Sequence, residues 1–409
     1  MTSAVRRRAG CTRRAALIAG AVPWPRAHAA VATGTRWRLE RADFPSHLAR
    51  LQPHPNAGWL GVDREGRCWA LERGDTPRLL GAGLDPEAPL AAGHGRVVGR
   101  LVDGRLWVGG DAPDAGTGDA MLAAAAGLLV LAAGVIGVAG SDGAAQVARL
   151  EPAGRGRWRV TATGADAVMP DARPLQADIE GGGDAGHVVV LAGPDRHRYP
   201  HAVLGDGLEA TRLLVLERHT LRVLRSMQVE APHVLEDIAP RPWFAGGAIG
   251  LVTVRSGPLG AQLVVVEADR LRPGALRIAA AGEPLGNRMR WLAPSVNGPD
   301  LLAVHTPHLG GALHRYRRAN DRLVAEPLAS GFSNHAIGTR ELDTSAWLSG
   351  LFLAPDLGRR RLRLFDPRAR RDVAVFELAE PAKALVAHPR RPEAACLLES
   401  GAVVSVHGA

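Results

Sequence analysis

The sequence predicts an all-β protein that folds into a single β-propeller, and two observations carry this prediction. From Pro174 onward a pattern recurs about every fifty residues: a short apolar strand, a loop of small residues, a Val/Leu-rich strand, a longer loop and two more strands. Gly and Pro are spread through the whole chain, and no low-complexity segment separates two halves. A strand-only period of about 40–50 residues is typical of radial β architectures.

Residues 1–29 have the pattern of a secretory signal. Arginines precede the apolar run AALIAGAV, and Ala27-His28-Ala29 forms an A-x-A site that predicts cleavage after Ala29. The stretch TRRAALIAG resembles a twin-arginine signal. The alternative, an Arg-rich disordered head, fits the A-x-A site poorly. We therefore predict a twin-arginine signal peptide over residues 1–29 and a propeller domain over residues 30–409, in a periplasmic or secreted protein.

The net charge argues against nucleic acid as a partner. The formal charge is +9, but the predicted signal holds six arginines and no acidic residue, so its removal leaves about +3. Binding to nucleic acid needs a basic patch on the folded domain. We expect the remaining basic runs, such as Arg359-Arg360-Arg361, to be solvated turns.

The segment from Ala120 to Gly140 carries no charge over 21 residues, which is long enough to span a bilayer as a helix. Three features argue against a span: the flanks are acidic, three glycines divide the run into strand-length pieces, and a tight turn and another strand follow. The part LLVLAAG also matches HVVVLAG one unit later. We therefore predict strands and loops buried in a blade, and no membrane span.

The number of blades follows from the candidate inner strands. They lie near residues 56, 95, 121, 174, 237, 290, 334 and 383, and the early ones are too closely spaced for each to own four strands. We predict seven blades, with eight as the alternative. The last unit has only three strands, and RWRLER (residues 36–41) would supply the fourth, closing the ring and removing an exposed edge.

Several phrases between residues 174 and 343 carry a family resemblance: ADIEGGGD, PHAVLGDGLEAT, EDIAPRP, RWLAP and SNHAIG. This part of the chain resembles the bacterial secreted propellers of the FG-GAP (VCBS-type) repeat family. The resemblance implies a scaffold more than an enzyme, and a calcium loop of the form DxDGDG. That loop is eroded here, because only Asp178, Glu180 and Asp184 remain as acids and Gly182 replaces another carboxylate. The segment is either a weak calcium site or a plain Gly-rich turn, and we expect no other cofactor.

Cys68 and Cys396 remain once the signal is removed. An even pair in an oxidising compartment invites a disulfide. The two cysteines occupy matching places in their units, however, and equivalent strands of neighbouring blades lie too far apart for a bridge. We predict two buried free thiols.

Polar side chains gather in two kinds of link that open on the same face of a blade: the link into the first strand and the link from the second to the third strand. The candidates for ligand binding are His201, Asp206, Glu209, Glu236, Asp237, Arg255, Arg290, His305, His308, Asn334 and His335. We expect Arg255 and Arg290 to favour ionisation of the carboxylates. The alternative is that these groups cap strand ends and tie the blades together by hydrogen bonds.

Two functions from different classes remain open. The first is an exported propeller that binds a protein or a small anionic ligand at the His/Arg/Asp-rich mouth of the channel. The second is a hydrolase or lyase that uses the same face, with a histidine as base. We favour binding by a monomeric protein, and assign no catalytic residue, because the sequence has no GxSxG, Walker, HExxH or CxxC motif and places no nucleophile beside a base.

Overall fold

The computed structural model describes residues 36–42, 44–45, 47–56, 58–140, 144–179, 186–245, 248–342 and 344–408. The predicted signal peptide lies outside these residues. Within them the chain forms 33 β-strands and no α-helix. The prediction of an all-β protein is confirmed.

The strands pair as eight consecutive antiparallel blades of four strands each within the described residues. Blade 1 is formed by Leu48–His54 (β2), Gly58–Asp63 (β3), Cys68–Leu71 (β4) and Arg78–Gly81 (β5), and blade 2 by Ala91–Gly93 (β6), Arg96–Arg100 (β7), Arg105–Gly110 (β8) and Gly116–Met121 (β9). Blade 3 is formed by Leu129–Leu131 (β10), Gly134–Ala139 (β11), Gln146–Pro152 (β12) and Arg157–Thr163 (β13), and blade 4 by Leu175–Ala177 (β14), His187–Asp195 (β15), Glu209–Leu216 (β16) and Val223–Gln228 (β17).

Blades 5 to 8 follow the short strand Val234–Leu235 (β18), which pairs with both β16 and a strand of blade 5. Blade 5 is formed by Arg241–Ala245 (β19), Ala248–Ser256 (β20), Gln262–Ala268 (β21) and Leu276–Ala281 (β22), and blade 6 by Leu292–Asn297 (β23), Asp300–His305 (β24), Ala312–Ala319 (β25) and Arg322–Ala329 (β26). Blade 7 is formed by Ala346–Leu348 (β27), Leu351–Pro355 (β28), Arg361–Asp366 (β29) and Arg371–Glu377 (β30), and blade 8 by Ala382–Ala387 (β31), Glu393–Leu398 (β32), Val403–Gly408 (β33) and Trp37–Arg41 (β1).

Strand β1 closes the ring. It runs antiparallel to β33, with Trp37 opposite Gly408 and Arg41 opposite Val404, so it forms the fourth strand of blade 8. The first strands of neighbouring blades contact one another around the centre, including β31 with β2 across the closure. The predicted role of residues 36–41 agrees with this pairing.

The prediction of seven blades is wrong, because the pairing gives eight. The eight candidate inner strands correspond to eight real ones. The error came from spacing: the first strands of blades 2 and 3, β6 and β10, have only three residues each, so a complete blade fits into a shorter segment than the C-terminal repeats suggest.

The uncharged segment from Ala120 to Gly140 forms the end of β9, then β10 and β11, as strands and turns. Among the described residues, no helix is long and apolar enough to cross a membrane. One detail of the prediction is wrong: LLVLAAG contains the inner strand β10, and the counterpart of HVVVLAG is β11. The mismatch arose because β10 is too short to stand out from the turn that follows it.

The hydrophobic core lies between the blades. Separate clusters of buried side chains fill the interfaces of blades 7 and 8, 8 and 1, and 1 and 2, and a larger one joins blades 3, 4 and 5. A strand that is covered on both faces reads as a continuous apolar run, as in β15, whereas the outer strand β30 alternates between exposed and half-buried side chains. Cys68 and Cys396 are buried free thiols, as predicted.

Candidate functional site

We call the face that carries the incoming links and the second-to-third links the site face. Its polar residues come from blades 4 to 7. The relevant segments are the second-to-third link of blade 4 (residues 196–208) and the incoming links of blades 5 and 7 (residues 229–240 and 330–345). The structure brings several of the predicted residues together here, although more than a hundred residues separate them in the chain.

His201 and Glu236 form a buried pair. The Nδ1 atom of His201 lies 2.6 Å from Oε1 of Glu236, and the Ser256 hydroxyl donates to Oε2 of the same carboxylate at 2.5 Å. Burial lowers the pKa of His201, but the hydrogen bond and charge of Glu236 outweigh it and raise the pKa above its usual value. A backbone hydrogen bond with Met289 acts in the same direction. The Glu236 carboxylate therefore favours the protonated form of the His201 ring.

His308 and His335 form a second pair, in which Nε2 of His308 lies 3.0 Å from Nδ1 of His335. The other nitrogen of His335 contacts the Thr339 carbonyl at 2.9 Å, and its ring packs on Trp291 with 4.8 Å between centroids. Burial lowers the pKa of His335 to about 4 and also lowers that of His308. Burial therefore favours the neutral form of both rings, whereas Glu236 favours the charged form of His201.

Glu209 lies among other carboxylates and is almost fully buried. Within the described residues its Oε1 has no hydrogen-bond partner. Burial raises the pKa of Glu209 well above its usual value, and the charges of Glu236, Asp171 and Asp206 add to the effect. Burial also raises the pKa of Asp171, against the opposing influence of Arg340.

A strap formed by residues 334–342 runs from blade 7 to the opposite blades. Arg340 donates to Asp171 at 2.9 Å and also to Asp206, both of which belong to blade 4 links. The neighbouring Glu341 accepts from Arg50 on β2 at 3.1 Å. At the base of the strap, the Asn334 side chain donates to the Ala293 carbonyl at 3.2 Å. The strap therefore ties blades 7, 4 and 1 together across the site face.

Asp237 is a structural carboxylate. Its Oδ1 accepts from the backbone of Ile238 at 2.9 Å, and its Oδ2 accepts from Arg241 at 2.8 Å and from the Thr253 hydroxyl at 3.0 Å. Both oxygens are used inside blade 5 and the residue is buried. The strand-capping alternative describes this residue.

Three of the predicted site residues do not join the cluster. Arg255 faces the Gln262 amide, whose oxygen is 2.7 Å from Nε when it is turned toward the guanidinium. Arg290 is exposed and its Nη1 donates to the Leu285 carbonyl at 3.5 Å. His305 turns into its blade, where it bonds the Tyr316 hydroxyl at 2.7 Å and stacks on His314.

The expectation that Arg255 and Arg290 would favour ionised carboxylates is therefore wrong. Arg340 and Arg241 make those ion pairs. Sequence reasoning missed Arg340 and Asp171, although both lie in incoming links, the same kind of segment that identified Glu236 and His335.

The calcium prediction falls largely outside the described residues, because these include Asp178 but neither Glu180 nor Asp184. In the part of the chain that the structure describes, no group of three or more His, Cys, Asp or Glu side chains is arranged to hold a metal ion. Calcium at this turn stays a prediction.

The order of contacts argues against nucleophilic catalysis at the His201 pair. A catalytic serine needs an imidazole beside its hydroxyl to take the proton, with a carboxylate behind the imidazole. Here the carboxylate of Glu236 lies between Ser256 and His201. The hydroxyl hydrogen bonds directly to a carboxylate and has no contact with the imidazole, so the serine-histidine-acid order is not formed at this pair.

No protein-family profile and no curated protein sequence matches this chain. Solved structures do resemble it. The computationally designed protein Ika8 superposes with a TM-score of 0.60 at 11% identity, over 90% of this chain and 100% of the other. The chain is a single β-propeller.

Two further solved structures, both of propellers, support this fold. The Dos1 propeller matches with a TM-score of 0.58 at 11% identity, over 91% of this chain and 95% of the other. BamB from Moraxella catarrhalis matches with a TM-score of 0.51 at 12% identity, over 90% and 96%. Identities this low show the fold alone, so function has to be argued from the site face.

Proposed function

We propose that this chain is an exported, monomeric propeller that acts as a scaffold and binds a protein partner at the site face of blades 5 to 7. In this proposal residues 1–29 direct export to the periplasm or beyond, and residues 174–343 are FG-GAP-like blades, a resemblance supported by the phrases quoted above.

The observation that carries the proposal is an arc of exposed apolar side chains. Five large hydrophobic residues on the links of the site face are between 46% and 74% exposed. We call these residues the apolar arc: Leu259, Met289, Leu309, Ile337 and Leu357. Single exposed hydrophobic residues are ordinary on protein surfaces, but a contiguous group on one face is typical of an interaction surface.

Backbone hydrogen bonds make these links neighbours. The Ala261 amide donates to the Arg290 carbonyl at 3.0 Å, which joins the link of Leu259 to that of Met289. Within blade 6 the Thr306 amide donates to the Trp291 carbonyl at 2.9 Å. The Phe332 amide donates to the Gly311 carbonyl at 3.0 Å, which joins blade 6 to blade 7, and within blade 7 the Ser333 amide donates to the Pro355 carbonyl at 2.9 Å. The apolar arc is therefore presented on consecutive links.

The charges beside the apolar arc indicate the chemistry of the partner. Arg288 and Arg290 flank Met289 and are exposed, and Arg360 is exposed near Leu357. The adjacent carboxylate of Asp356 is engaged by Arg361 at 2.8 Å. A partner segment that carries apolar side chains with acidic neighbours would complement this surface.

Site-specific crosslinking in the native cell tests the proposal. We expect a photo-reactive residue at position 309 to capture a discrete protein, and N-terminal sequencing of the purified chain to begin at Ala30. The variant Met289→Ser/Ile337→Ser should lose the crosslink at position 309, because it removes the apolar contacts while leaving the buried core unchanged.

The matched control is position 271. Leu271 is 91% exposed and lies in the link between β21 and β22, which opens on the opposite face. A photo-reactive residue at 271 should not capture the same protein. Equal capture at 271 and 309, or a crosslink that survives Met289→Ser/Ile337→Ser, would contradict binding at the site face.

A further inference from the structure

A second polar feature lies on the face opposite the site face, where blades 6 and 7 meet. A cleft of about 370 Å³ opens there, lined by the turn after β23, by β25 and by the turn between β29 and β30. Its lining residues include Asp300, Arg315, Arg317 and Arg368. Toward the site face the same interface is packed with apolar side chains such as Leu313 and Phe332. The cleft is therefore a polar, arginine-lined part of this blade interface.

Three guanidinium groups line the cleft from two blades, and a fourth, that of Arg370, pairs with the neighbouring Glu326. Arg315 and Arg317 project from β25, two residues apart and thus on the same side of the strand. Arg368 and Arg370 come from the turn of blade 7. The side chain of Arg315 is mostly buried, and its Nη2 donates to the Pro367 carbonyl at 2.6 Å, which holds the two blades together at this point.

One carboxylate is shared among three of these arginines. The Glu326 carboxylate lies 3.6 Å from Arg317 and 4.0 Å from Arg315, and it also pairs with Arg370. Among the other acids nearby, Asp300 lines the cleft and Asp366 caps the blade 7 turn by accepting from the amides of residues 368 and 369. Positive charge is therefore in excess at the cleft mouth.

The direction of the pKa shift of Arg315 agrees with this excess of positive charge. Burial lowers the pKa of Arg315, and the charges of Arg317, Arg370 and Arg368 lower it further, while the charge of Asp300 opposes them. An anion in the cleft would remove this repulsion.

We propose that the cleft between blades 6 and 7 binds a dianionic phosphate group, held by Arg315, Arg317 and Arg368. Planar guanidinium groups present paired N–H donors that match the oxygens of phosphate, and several such forks around one pocket favour a doubly charged anion. A volume of about 370 Å³ exceeds what one phosphate needs and falls within the range of small-molecule sites, so the ligand is a phosphate ester with room for its organic part.

Calorimetric titration of the purified protein with inorganic phosphate tests the site, at low ionic strength and a slightly alkaline pH. We expect saturable binding that Arg315→Gln and Arg368→Gln each weaken about tenfold, the effect of losing one charge-assisted contact. Glu326→Gln should strengthen binding several-fold, because it frees guanidinium groups that the carboxylate now engages. Arg368 is exposed, so its variant remains informative even if Arg315→Gln fails to fold.

The matched control is Arg272→Gln, which removes an exposed arginine from another link of the same face and should leave phosphate affinity unchanged. A second arm uses phosphatidylcholine vesicles with and without phosphatidic acid. Binding of phosphate alone supports a soluble phosphate ester, and binding of both phosphate and phosphatidic acid vesicles supports a lipid headgroup. Absence of phosphate binding, or an equal loss in Arg272→Gln and Arg368→Gln, overturns the proposal.

Discussion

Glu209 illustrates how burial and neighbouring carboxylates affect an acidic side chain on the site face. It is buried, its Oε1 has no partner in the described part of the chain, and the nearest charges are the carboxylates of Glu236, Asp171 and Asp206. Ionisation of Glu209 is disfavoured because the carboxyl group is buried and other carboxylates act on it. These effects raise the pKa of Glu209 well above its usual value, whereas the carboxylate of Glu236 has His201 and Ser256 as hydrogen-bond partners.

Replacing Glu209 with Gln should stabilise the protein at neutral pH. The folded-state pKa of Glu209 is raised above its unfolded value, so the folded state keeps a proton that the unfolded state releases above about pH 4.3. The contribution of this group to stability is thus present at low pH and lost as pH rises toward the folded pKa. Because Gln cannot ionise, we expect a gain of roughly 1–3 kcal/mol in the free energy of unfolding at neutral pH.

Urea unfolding at several pH values measures this effect. The difference between Glu209→Gln and the parent protein should shrink as the pH falls toward that of an ordinary carboxyl. Glu230→Gln serves as the control because Glu230 is exposed, and it should change stability by less than about 0.5 kcal/mol. A Glu209→Gln protein that is less stable than its parent at neutral pH would mean that the ionised carboxylate has a partner in the folded state.

At the scale of single elements, the strap of residues 334–342 is the feature that organises the site face. Arg340 is its anchor, because it pairs with both Asp171 and Asp206. The strap also carries His335 and the exposed Ile337, so its position sets the geometry of the histidine pair and of the apolar arc.

The variant Arg340→Ala should loosen the strap and destabilise the fold by roughly 2 kcal/mol, because it leaves the buried Asp171 without its cation. Hydrogen exchange should become faster in residues 334–342 and remain unchanged in strands of blade 8. Arg322→Ala, which removes an exposed pair with Glu283, should cost less than about 1 kcal/mol and leave exchange in the strap unchanged. Unaltered exchange in Arg340→Ala would show that other contacts hold the strap.

The elements that could be predicted from sequence are those that carry a local signal. The apolar runs of β15 and β24 and the three-strand last unit are visible in the residues, and they led to the correct architecture and to strand β1. The inner strands β6 and β10 gave a weaker signal because they have three residues each, and this caused the error in blade number.

The candidate site was predictable only as far as topology allowed. The kind of link that holds His201 and Glu236 predicted that both lie on one face, and in the structure they are in contact. The kind of link does not determine the direction in which a side chain points. His305 turns into its blade toward Tyr316, and Arg290 turns toward solvent, for reasons of packing that appear only in three dimensions. Arg340 escaped notice because its partners lie more than 130 positions earlier in the chain.

At the scale of the whole molecule, the two faces of the ring have different chemistry. The site face of blades 5 to 7 combines the apolar arc with two buried histidine pairs, while the opposite face carries the arginine cleft of blades 6 and 7. Both surfaces depend on neighbouring blades keeping their relative positions. The integrity of the ring is therefore a condition for either proposed binding function.

Ring closure depends on β1, since β1 completes blade 8. Trp37 and Leu39 pack against the core of blades 7 and 8, and the Glu40 carboxylate lies 3.0 Å from Nε2 of His407 and pairs with Arg73 of blade 1 at 3.9 Å. A chain that starts at residue 42 loses these contacts and leaves the full length of β33 as an exposed edge. We expect it to be less stable by on the order of 3 kcal/mol or more, from lost apolar burial and lost ladder hydrogen bonds.

An unpaired edge also recruits other strands, so the shortened chain should associate in a concentration-dependent way in analytical ultracentrifugation. The matched control is a chain that starts at residue 36, which keeps β1 and should retain the stability and mass of the parent protein. A synthetic peptide of residues 36–41, added in excess, should pair with β33 and shift the shortened chain back toward the monomer and toward a higher melting temperature. If the chain starting at residue 42 melts at the same temperature as the control and stays monomeric, blade 8 is stable with three strands and β1 does not close the ring.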